Sequence, residues 1–157
     1  MSVTPEIHST VQAGVQRLVH CYEHLTPQSL NSLKDCYAPQ ARFKDPFNEV
    51  QGVERIAQVF EHMFTTVDAP RFQVTEQLVQ GQQAFLAWEF HFRMRRWRAA
   101  QPHCIRGGTF LRLDEQGKVL EHRDYWDTAE ELYEKLPVLG GLMRWLRKAG
   151  SASSSTS

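Results

Sequence analysis

The segment "HRDYWD", residues 122–127, places a histidine and an aspartate two positions apart, His122 and Asp124. On a strand such residues share a face, about 6.6 Å apart, so one water or ligand can touch both. Histidine titrates near neutrality, and an aspartate can orient it or accept from a substrate. The pair therefore suits general acid/base chemistry. It suits a structural ion-pair network equally well, with Arg123 holding an acid on the opposite face. Glu89 and His91 repeat the spacing, and their plainer reading is a wet strand face. Asp45 precedes Pro46, and Asp-Pro is a common turn-former at strand ends. "HCYEH", residues 20–24, matches the H-x-x-E-H zinc pattern. On a helix, however, His20 and His24 lie opposite Leu18 and Tyr22, and a third protein ligand would be needed. No metal is expected there.

These residues need elements to position them. Thr4-Pro5 is a helix start, followed by an apolar stripe at Val11, Val15, Leu18, Tyr22 and Leu25. Thr26-Pro27 starts a second helix, continued by Leu30, Leu33 and Tyr37. "ARFKDP" reads as a short strand ended by Pro46, and a third helix follows from Val53 to Thr65. The period then changes to two. "RFQVTEQLVQ" and "AFLAWEFHFRMRRW" are strands joined by "GQQ", and "CIRGGTFLRL" and "KVLEHRDYWD" are joined by the Gly-containing turn "DEQG". "TAEELYEKLPVLGGLMRWLRKAG" is helical, with Thr128 and Glu131 as a capping box. This order is α+β.

The 157 residues fit one domain, expected over 1–149, with a disordered Ser-rich tail at 150–157. Lys+Arg and Asp+Glu both number 18, so no net field favours nucleic acid or an anionic membrane. The Arg93–Arg98 run reads as a solvated loop. Cys21, Cys36 and Cys104 are an odd set without framework spacing, expected as free thiols in a reducing, cytoplasmic setting. Neither a signal peptide nor a membrane span is expected.

Parity leaves one question open. On the long strand Leu86, Trp88, Phe90, Phe92 and Met94 share an apolar face, whereas Phe85, Ala87, Glu89, His91 and Arg93 form a mixed one. The bland reading makes the apolar wall the core and the mixed face wet. The sharper reading turns the mixed face into a pocket and buries the wall against a second subunit.

"CYAPQARFKDPFNEVQG" resembles the segment of the ketosteroid-isomerase branch of the NTF2-like (SnoaL-like) superfamily that carries the catalytic aspartate. The shared features are a helix end, a short strand, Asp-Pro, and Gly before the third helix. "DEQGKVLEHRDYWD" resembles that family's last hairpin, and the element order matches from Ile7 to Thr128. The resemblance implies a cone-shaped, cystatin-like α+β barrel. Its curved antiparallel sheet would wrap the N-terminal helices around a deep pocket, and an extra C-terminal helix would follow. It implies Asp45 as general base and His122 and Asp124 as a second acid/base or orienting pair. Tyr22, Glu89, His91, Thr109 and Trp126 would line the pocket, Tyr22 and Thr109 as hydrogen-bond donors. Trp88, Phe90 and Phe92 would form a homodimer wall. Thr109 stands where the isomerases hold an acid, and the pocket is more polar than a steroid cavity. The resulting expectation is an isomerase-, hydratase- or cyclase-like enzyme acting on a small, mostly apolar molecule without metal or organic cofactor. The alternative is a non-catalytic ligand-binding or protein-interaction module, without nucleic acid or integral membrane contacts.

Overall fold

A computed structural model describes residues 4–95 and 101–133. Helix α1 spans Pro5–Glu23 and is capped by the Thr4 hydroxyl, which accepts from Ile7 N. At Thr26 a capping box with Ser29 starts a 3₁₀ segment, Pro27–Ser32, and then a short helix α2, Leu33–Cys36. Strand β1 begins at Tyr37 and runs to Lys44. Tyr37 therefore leaves the helical stripe expected of it. Pro39 explains the change, because the residue before a proline is pushed to extended geometry and a helix cannot run through it. A three-residue strand that the sequence pattern did not show, β2 (Glu49–Gln51), precedes α3 (Val53–Thr66). Strands β3 (Val67–Gln80), β4 (Gln83–Met94), β5 (Pro102–Leu113) and β6 (Val119–Tyr125) follow.

The strands form one curved, unclosed sheet in the order β2-β1-β6-β5-β4-β3. It is mixed, not antiparallel throughout: β1 lies parallel to β6, with Phe43 beside His122. That pairing brings the Asp45 end of β1 next to the strand carrying His122 and Asp124. After β6, the Asp127 carboxylate accepts from Ala129 N and Glu130 N, so Asp127 caps the following turn in place of Thr128. A single π-type turn spans Ala129–Tyr133. The rest of the expected C-terminal helix, the Ser-rich tail and Arg96–Arg98 lie outside the described residues. No helix among the described residues is long and apolar enough to cross a membrane.

Cross-strand register answers the parity question. Leu86 pairs with Thr109, and Thr109 pairs with Asp124. Residues opposite one another share a face, so Leu86, Trp88 and Phe92 lie on the same side as Thr109, His122 and Asp124. Leu86, Trp88 and Phe92 are buried in the core with α1 and α3 residues such as Leu18 and Phe60. The expected dimer wall of Trp88, Phe90 and Phe92 is thus corrected, since these rings face inward. Glu89 and His91 are corrected in turn. They lie on the opposite face, half-buried, with the exposed Phe85 and Tyr125. Period two defines two faces per strand but not their phase between strands, and the phase is what the sequence reading reversed.

Candidate active site

Two cavities lie between the helices and the inward face of the sheet. The outer one has an empty volume of about 900 Å³, is open to solvent, and is walled mainly by aromatic side chains such as Phe47, Phe90 and Trp126. Asp45, Asn48 and Asp124 also line it. The inner one is smaller and is lined by Tyr22, Thr109 and His122 among others. Phe60, Phe72, Trp88 and Asp124 line both. Asp124 therefore lies on the wall that the two chambers share.

A continuous hydrogen-bonded chain crosses the inner chamber. Tyr22 Oη lies 2.6 Å from Tyr37 Oη, and Tyr37 Oη lies 2.7 Å from His122 Nδ1. His122 Nε2 is 2.7 Å from Asp124 Oδ1. The Thr109 hydroxyl donates to that same oxygen at 2.5 Å, and Trp88 Nε1–H donates to Thr109 Oγ1 at 2.8 Å. Proton directions follow from the chain's end. A carboxylate only accepts, so a neutral His122 carries its proton on Nε2. Its Nδ1 then accepts from the Tyr37 hydroxyl, and Tyr37 accepts from Tyr22. Burial drives both phenols well above their usual pKa, so they stay neutral donors.

This chain assigns work to residues. Both nitrogens of His122 are engaged and the ring is 4% exposed. His122 thus positions Asp124 and offers no free nitrogen to a ligand. The Tyr22 and Thr109 hydroxyls donate within the chain, so the ligand-donor role expected of them is already occupied. Asp124 Oδ2 makes no hydrogen bond among the described residues, and Asp124 faces the cavity.

Asp45 combines the two readings given to it. Its Oδ1 accepts from Phe47 N at 2.7 Å and Asn48 N at 2.6 Å, which builds the turn between β1 and β2. Asn48 Nδ2 bonds both carboxylate oxygens, at 3.1 and 3.0 Å. The side chain still lines the cavity, and its pKa is raised above 3.8. Desolvation is the main cause. The Asn48 and Phe47 donors oppose it, and the charge of Asp124 adds to it. Asn48 Oδ1, buried in the cavity wall, has no hydrogen-bond partner among the described residues.

The structure brings Asp45, His122, Asp124, Tyr22, Thr109 and Trp126 to two chambers that share a wall. It separates Glu89 and His91 from them. Sequence reading missed Tyr37, hidden by its assignment to a helix, and Asn48, whose signal was the Asp-x-x-Asn spacing at a strand end. It also missed the aromatic wall as cavity lining, because those rings were given to an interface. Of the described residues, Glu89, His91 and Cys104 hold ligand atoms close enough to share a metal ion, and they do so on the outer face.

An α+β cone whose helices and curved sheet enclose an aromatic cavity with inward acids defines a class of small pocket proteins, the NTF2-like fold. The SnoaL-like domain family matches residues 15–122, and the chain belongs to that family. Among solved structures, a hypothetical protein with a ketosteroid isomerase-like fold from Catenulispora acidiphila, in complex with trimethylamine, aligns with TM-score 0.64 and 16% identity, covering 83% of this chain and 92% of its own. A putative SnoaL-like polyketide cyclase from Jannaschia aligns at 0.67 and 16%, covering 94% and 97%. An LEH-like epoxide hydrolase from M. tuberculosis aligns at 0.65 and 12%, covering 87% and 97%. At these identities the likeness concerns the fold. Comparison with curated proteins gives no match.

Proposed function

We propose that this protein is a cofactor-independent acid/base enzyme for a small, mostly apolar substrate, of the isomerase, hydratase or cyclase type. The observation that carries the reading is the pairing of two carboxylates, Asp45 and Asp124, on one aromatic cavity. Asp45 is the general base. Desolvation raises its proton affinity, which brings a carboxylate closer to the pKa that proton abstraction from carbon requires. Asp124 holds the substrate's polar group through Oδ2, while His122 and Thr109 fix its other oxygen. Asp45, Asp124 and Asn48 Oδ1, which has no partner among the described residues, are all acceptors, and they suit a substrate whose polar group is a donor, such as a hydroxyl or an amine. Cyclase and hydrolase names among the structural neighbours are consistent with this chemistry.

One observation favours a second reading. Asp45 builds the β1–β2 turn, and a residue so used could serve a binding module without turnover. The carbon acid 5-nitrobenzisoxazole separates the two. Asp45→Asn is expected to lower its ring-opening rate by roughly 10²-fold or more with binding retained. Equal rates in both proteins would leave the binding module.

A further inference from the structure

The outer face of the sheet carries a cluster that the cavity does not use. Glu89 and His91 stand two apart on β4, and Cys104 is the direct cross-strand partner of His91 on β5. Glu89 Oε2 lies 3.0 Å from His91 Nε2, and Cys104 Sγ lies 4.0 Å from the same nitrogen. The three ligand atoms fall within 4.8 Å of one another.

Two chemistries use cysteine, histidine and an acid together. A nucleophilic triad runs as a relay, with the thiol on one ring nitrogen and the acid on the other. Here both neighbours approach Nε2, so the relay is not built. A metal site has the opposite requirement: one atom from each residue must converge on a common point. From bond lengths to zinc, a tetrahedral site needs about 3.4 Å between nitrogen and oxygen and about 3.6 Å between nitrogen and sulfur. The two pairs through His91 Nε2 differ from those values by about 0.4 Å each, within reach of side-chain rotation, and the Glu89–Cys104 pair lies within 4.8 Å.

We propose that Glu89, His91 and Cys104 form a site for a zinc-class divalent ion on the outer face of β4 and β5. Thiolate, imidazole and carboxylate suit that borderline-soft ion, and the two anionic ligands offset its charge. The set is half-buried on paired strands, so its backbone is already fixed. With three protein ligands the fourth position is open to water. Arg71 and Arg106 pair with His91 and Glu89 in register and weaken the site's hold on a cation. Binding is therefore expected near the micromolar range, not at the strength of a closed structural site.

Cobalt(II) reports the site directly, because thiolate ligation gives a near-ultraviolet charge-transfer band. Titration of the full chain is expected to produce that band at one equivalent, with zinc displacing it. Cys104→Ser should abolish it, although Cys21 and Cys36 remain, and His91→Gln should weaken binding at least about tenfold. Zinc should raise the melting temperature of the unaltered protein and not that of Cys104→Ser. The proposal is overturned if excess cobalt gives no thiolate band, or if the band survives in Cys104→Ser.

Discussion

Tyr37 sits at the middle of the buried chain, and its hydroxyl serves two partners at once. It hydrogen-bonds both His122 Nδ1 and Tyr22 Oη. Tyr37→Phe keeps the ring and removes both bonds, stranding a buried donor and a buried acceptor. A stability loss of about 1–3 kcal/mol is expected by urea unfolding. Tyr22→Phe added to it should cost little more, since the stranded Tyr22 hydroxyl is then gone. Full additivity would mean the two hydroxyls act separately. At this scale the sequence was legible where chemistry depends on local spacing. His122 and Asp124 share a face because i and i+2 must do so on a strand, and the structure closes that spacing with a direct bond. Tyr37 was illegible because its role depends on a residue 85 positions away.

Element positions explain how the chain is held in register. Helix α1 carries Tyr22, and the β5–β6 hairpin carries His122. The two meet backbone to backbone: a Cβ on Gly14 would lie 2.1 Å from Gly117 O. Gly117 itself has φ +78°, a left-handed value that suits glycine in this turn. Gly14→Ala is therefore expected to push α1 off the hairpin and cost about 1–3 kcal/mol, read as a lower melting temperature. The exposed neighbour substitution Ala13→Ser should be near neutral. Helix starts at Thr4 and Thr26 were legible, because capping chemistry lies within three residues. The parallel β1–β6 pairing was not, because it joins segments far apart in sequence. That pairing is what brings Asp45 into the same cavity as Asp124.

For the whole molecule, the face assignment has a direct consequence. Trp88 is 9% exposed and closes both chambers, while the outer face shows Leu78, Phe85 and Tyr125. Trp88→Ala should cost about 3–5 kcal/mol of stability and leave the sedimentation behaviour of the folded protein unchanged. Dissociation of an oligomer by that substitution would put the wall outside. The α+β class and the family resemblance were legible, and the family matches residues 15–122; the direction of the aromatic wall was not, because it follows from inter-strand register. The account rests most on Asp45 as a desolvated base facing that wall, and the pH–rate profile for 5-nitrobenzisoxazole tests it most directly. A base must be ionised to act, so the rate should rise with pH through the Asp45 pKa, at a midpoint above 3.8. That limb should be absent in Asp45→Asn. A profile shared by both proteins would contradict the account.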